Sequence, residues 1–174
     1  MANQPLHELS ISGAWVLDSS RSDTFEDYLR YLGTPEDAIQ AQVAGERAYQ
    51  SRNVIALGNS RLVIHKDTAA NERTETYQLD EEQVTRRPDG GVNQARVSLG
   101  NQGRLDGYVV VNTTSAPCGR TALETVEARQ LLEGGLAHVQ QINVRRVADG
   151  GECTTARTWV RVPLTQDDQM RLFS

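Results

Sequence analysis

Cysteine, histidine and aromatic side chains are scarce in this sequence, and each scarcity removes a class of function. Two cysteines, Cys118 and Cys153, are too few for a disulfide framework, and two unpaired thiols in a reducing cytosol are the simpler reading of them. The three histidines, His7, His65 and His138, stand at no metal-ligand spacing, so neither a zinc centre nor a Cys/His catalytic pair is expected. No phosphate-cradling loop or dinucleotide glycine fingerprint is present, and no cofactor is expected. Basic residues are in deficit as well. Lys and Arg number 18 against 23 Asp and Glu, a net charge of -5, which argues against a nucleic-acid partner needing a basic face. No apolar run reaches the length of a membrane span. The opening MANQPLHELS lacks the basic start and apolar run of a signal peptide. A soluble, cytoplasmic protein of one domain is expected across the 174 residues, and a monomer.

The chain is organised by changes of period. Residues 11–21 (ISGAWVLDSSR) alternate loosely around Trp15 and read as a strand. Phe25, Tyr28, Leu29 and Leu32 then recur at helical spacing, with Asp23 as an expected N-cap and Gly33 as the stop. A second helix is expected to start at TPED, with Thr34 capping and Pro35 in its first turn. The helices lie within about residues 23–50. Beyond them, eight candidate strands begin with SRLVIHKD and end with CTTARTWVRV, separated by turns such as GNS, PDGG and DGG. One strand, two helices and an unbroken meander suit an antiparallel barrel whose mouth the helices cover. Arginines, glutamines and threonines on both strand faces point to a wet cavity rather than a dry core.

Four stretches carry a likeness. GAWVLDSSRSDTFEDYLRYLG resembles the opening of the intracellular fatty-acid-binding proteins, the cellular retinoid-binding proteins among them, through Gly13, Trp15, Leu17, Phe25, Tyr28, Leu29, Leu32 and Gly33. TETYQL and ETVEARQLLEGG resemble two later strands, and ARTWVRV resembles the terminal strand. The resemblance implies an all-β, ten-stranded antiparallel up-and-down barrel over residues 11–164. It implies a helix-turn-helix lid between strands one and two, an N-terminal extension at 1–10 and a tail at 165–174. It also implies a small hydrophobic or amphipathic ligand inside, fatty-acid- or retinoid-like. The head group would meet Arg129 and Arg157, with Trp159 where the family has tyrosine. Phe25, Tyr28 and Leu29 would form the portal, and the lid could touch a membrane transiently.

The departures matter too. Trp159 keeps an N–H donor but loses the hydroxyl. Glu127 shares a face with Arg129 and could neutralise it. Parity places His138, Gln140 and Ile142 inside on the next strand, with His138 and Gln140 as further ligand contacts. Arg161 is expected near a rim, in reach of water. A carrier is the first reading. An enzyme on the same barrel, an isomerase, cyclase or luciferase-like oxidase using His138 and Glu127, is the second.

Overall fold

The computed structural model describes residues 10–101, 103–119, 121–132 and 134–173; the expected N-terminal extension lies outside these apart from Ser10. Strand β1 (Gly13–Asp18) leads through a 3-10 turn at Ser19–Arg21 into helices α1 (Glu26–Tyr31) and α2 (Glu36–Ala48). Nine strands follow: β2 (Arg52–Leu57), β3 (Arg61–Asp67), β4 (Glu72–Gln78), β5 (Glu82–Arg86), β6 (Val92–Leu99), β7 (Gly107–Ser115), β8 (Thr121–Leu131), β9 (Ala137–Arg146) and β10 (Glu152–Val162). A short helix, α3 (Gln166–Arg171), ends the described chain. The ten strands run in the order β4-β3-β2-β1-β10-β9-β8-β7-β6-β5, each pair antiparallel, so β1 joins the last strand to the second. The expected barrel and its lid are therefore present. β4 and β5 are the edges, and no ladder joins them among the described residues. Leu79 bridges instead to Val97, and the Asp80 N–H donates to the Val97 carbonyl at 2.7 Å.

Period-two alternation holds around the barrel. Inward positions at the closed end form the dry core: Trp15, Leu17, Ile55, Leu57, Leu62, Ile64, Val97, Tyr108 and Trp159 cluster there with Ile11 and Leu79. Strand β2 is absent from the segments picked out by sequence, for a physical reason. Val54 and Ile55 are buried on opposite faces, so RNVIAL shows no alternation to read.

On that same outer side, α3 gives the tail a defined place. Thr165 and Asp168 close a capping box, and the buried Asp168 carboxylate pairs with Arg52 on β2. The capping expectations for the lid need correction. Asp23 does not cap α1; its carboxylate accepts the Ala156 N–H at 2.8 Å and its own N–H donates to the Ala156 carbonyl at 2.9 Å, stitching the helix entrance to β10. Thr34 does not cap α2 either. Pro35 occupies the N-cap, where it has no N–H to leave unsatisfied, and its carbonyl accepts the Ile39 N–H at 3.0 Å. Gly33 does end α1, at a φ of +80° that residues with a Cβ rarely adopt.

Candidate functional site

Strand register sets the site. Arg157 on β10 pairs with Gln140 on β9, Gln140 with Arg129 on β8, and Arg129 with Tyr108 on β7. Four inward side chains thus form one transverse row. Glu127, two residues before Arg129, belongs to the next row with Ile142 and Val110. These rows face a cavity of about 510 Å³ beneath the lid, closed on the far side by β3 and β4. Its wall is mixed: Leu62, Ile64, Val110 and Ile142 supply apolar surface, while Asn53, Asn112, Thr114 and Thr125 join the charged groups.

The polar row is a connected network. The Trp159 indole Nε1 donates to Gln140 Oε1 at 2.9 Å, and Gln140 Nε2 donates to Glu127 Oε1 at 2.9 Å. Arg129 Nε donates to that same oxygen at 2.8 Å. Its Nη1 donates to His138 Nε2 at 3.2 Å, and with the Asn53 amide oxygen turned toward it, Nη1 and Nη2 reach Asn53 at 3.0 and 3.2 Å. Burial opposes charge on Glu127, but Arg129, Lys66 and these hydrogen bonds outweigh it and hold the carboxyl down at about 2. Glu127 is an anion inside the barrel, and it neutralises Arg129 as their shared face foretold.

Arg157 is built differently. It is 2 % exposed, pairs through Nη2 with Glu46 of α2, and places its guanidinium 4.1 Å from the centre of the Phe25 ring at the start of α1. Its Nε and Nη1 are buried with no hydrogen-bond partner among the described residues. The residue that joins the lid to the barrel therefore lines the cavity and also holds two buried nitrogens without a partner. On the opposite side, Lys66 Nζ and Arg73 Nε share Glu75 at 2.9 and 2.7 Å, and Tyr77 donates its hydroxyl to Glu75 at 3.1 Å.

The expected residues separate into three groups. Arg129, Gln140, Arg157 and Trp159 all line the cavity, as do Phe25 and Tyr28 at the lid. Leu29 does not line it, whereas Leu32, at the C-cap of α1 and 38 % exposed, does. His138 faces inward but lies below the cavity. Its ring meets Trp15 edge-on at 4.5 Å and stacks over Trp159 at 6.2 Å, with no accessible surface. Burial first, then the positive charges of Arg129 and Arg161, push it down to about 2. Neutral and without a hydrogen bond to Glu127, it offers the cavity no proton donor or acceptor. Arg161 is partly exposed, donates to the Ser10, Ser12 and Gly135 carbonyls, each at 2.8 Å, and lies 4.2 Å from the centre of the Trp15 ring system. The site members that sequence reasoning passed over are Glu46, Asn53, Lys66, Glu75, Tyr108 and Asn112. Most sit on β3, β4 and β7, where period two assigns a face but no motif marks a role.

Comparison with solved structures places this geometry. Lipid binding protein 8 of Caenorhabditis elegans, without ligand, superposes with a TM-score of 0.61 at 17% identity, covering 92% of this chain and 100% of that one. A Schistosoma mansoni fatty acid binding protein in complex with arachidonic acid gives 0.59 at 16% identity, covering 91% and 99%. Fatty-acid-binding protein 1 of Echinococcus granulosus gives 0.58 at 16%, covering 87% and 97%. This chain has the fatty-acid-binding-protein fold. No protein-family model matches it, and no curated protein matches it by sequence.

Proposed function

We propose that the protein binds and carries a small hydrophobic or amphipathic molecule inside its barrel, with the polar head group against the wall of Arg129, Gln140, Arg157 and Trp159. One observation supports the reading: a lidded cavity of about 510 Å³ lined by a buried guanidinium, that of Arg157, two of whose nitrogen atoms have no hydrogen-bond partner among the described residues. Such a volume is ordinary for a small-molecule site, and buried donors without acceptors are costly unless a ligand supplies them. The apolar wall would add roughly 0.8 kcal/mol for each CH₂ group taken from water. The likeness to a lipid binding protein and to a fatty acid binding protein in complex with arachidonic acid supports the same class of ligand. Both cysteines are free thiols, which suits the reducing cytoplasm inferred from sequence. The lid sequence sets Asp23, Glu26, Asp27, Glu36, Asp37 and Glu46 against Arg30 and Arg47, so transient membrane contact through it would favour neutral over anionic bilayers.

The test is direct. Protein stripped of lipid is titrated with the neutral solvatochromic dye Nile red, which is then competed with long-chain amphiphiles. Saturable dye binding that the competitors displace is expected, and native mass spectrometry of the unstripped protein should show a retained small molecule. A dye that stays unbound at micromolar protein, with no retained molecule, overturns the carrier reading.

A further inference from the structure

The class of head group can be narrowed, on the footing that the barrel is a carrier. Among the described residues, the four cations that line the cavity are all paired with carboxylates of the chain: Arg129 with Glu127 at 2.8 Å, Arg157 with Glu46, and Lys66 and Arg73 together with the one carboxylate of Glu75. Arg129 also directs Nη1 at His138 and Asn53, and Nη2 at Asn53. A ligand carboxylate approaching Arg129 would therefore meet the Glu127 carboxylate at the same guanidinium, in a setting where water screens little of the repulsion.

What stays open near Glu127 is of the other kind. Its Oε1 accepts two hydrogen bonds, from Arg129 and Gln140, while Oε2 accepts none among the described residues. Asn112 Oδ1 and the Tyr108 hydroxyl are buried, line the cavity and have no partner there. A carboxylate can only accept hydrogen bonds. A hydroxyl can donate to Glu127 or Asn112 and accept from Tyr108 or the free N–H groups of Arg157. The wall thus matches a group that does both and carries no charge.

We propose that the barrel takes a neutral amphipath with a hydroxyl head group rather than a fatty-acid anion, and that Glu127 is the residue that sets this choice.

The experiment uses the full chain and two ligands of one chain length, cis-9-octadecen-1-ol and cis-9-octadecenoate, in competition with Nile red. Wild type is expected to bind the alcohol about tenfold or more tighter than the acid. Glu127→Gln keeps the size and the amide oxygen that Arg129 needs but removes the negative charge, and should swing the ratio toward the acid by about tenfold or more. The double variant E127Q/R129Q removes both charges and should still prefer the alcohol, which keeps the test sound if the single variant folds poorly. Tighter acid than alcohol in wild type overturns the inference while leaving the carrier reading intact. So does a ratio that E127Q does not move, which would put the head group by Lys66 and Arg73. If neither ligand nor Nile red binds wild type, the carrier reading falls and this inference with it.

Discussion

Trp159 ties the ligand wall to the dry core, because its ring packs among the closed-end residues while its indole N–H holds Gln140. Replacing it with phenylalanine keeps most of the apolar surface but leaves the Gln140 carbonyl buried without that donor. Trp159→Phe should lower stability by about 1–2 kcal/mol in urea denaturation; an unchanged midpoint and slope would mean that Gln140 finds another donor. At this scale, side-chain parity was legible in sequence. Glu127 and Arg129 two apart, and Arg157 and Trp159 two apart, had to share faces, and they do. Depth was not legible. His138 and Gln140 have the same parity, yet one is packed under Trp159 and the other lines the cavity, because alternation reports a face and not the level at which the core ends.

The second helix of the lid is held to the barrel by few groups. Only Ile39 and Val43 of α2 are buried, α1 buries none of its residues, and Arg157 reaches both helices through Glu46 and the Phe25 ring. An element with so little apolar burial opens locally at low cost. Glu46→Gln should raise amide hydrogen exchange in α2 roughly fivefold, equivalent to about 1 kcal/mol, while β9 and β10 keep their protection. Equal rates in both proteins would show that the ion pair does not restrain the helix. The two helices and the Gly33 break were readable from periodicity and from the need for a left-handed residue. The caps were not, since Asp23 was drawn to a strand edge that lies 133 positions away in sequence. β2 escaped notice because its apolar residues face both ways.

For the whole molecule, acid should unfold the protein in two stages. His138 is held at about 2 when folded, against an ordinary 6.5, so the unfolded chain takes up its proton first and stability falls as pH drops below 6.5. Glu127 and Asp168 are both held near 2, from ordinary values of 4.5 and 3.8, so their contribution is complete above those values and is lost on the way down to about 2. Between pH 7.5 and 5.5 the decline therefore belongs to His138, at about 1.4 kcal/mol for each unit below 6.5. Urea denaturation at the two pH values should show this loss in wild type and a flat response in His138→Gln. A variant that loses as much as wild type would place the titrating group elsewhere.

Period and turn chemistry determined the architecture from sequence alone: a strand, a broken helix pair and a meander that must curl to bury one face of each strand. Alternation put Glu127 with Arg129 and Arg157 with Trp159 on shared faces, and the family resemblance implied that those faces are the inner ones. Only the tertiary structure decided what those charges meet. Glu46 comes to Arg157 from the lid, Asn53 and His138 to Arg129 from other strands, and the Arg52–Asp168 pair fastens the tail outside. Pairing in a barrel depends on register and tilt across strands far apart in sequence, and one chain read in order carries no measure of either.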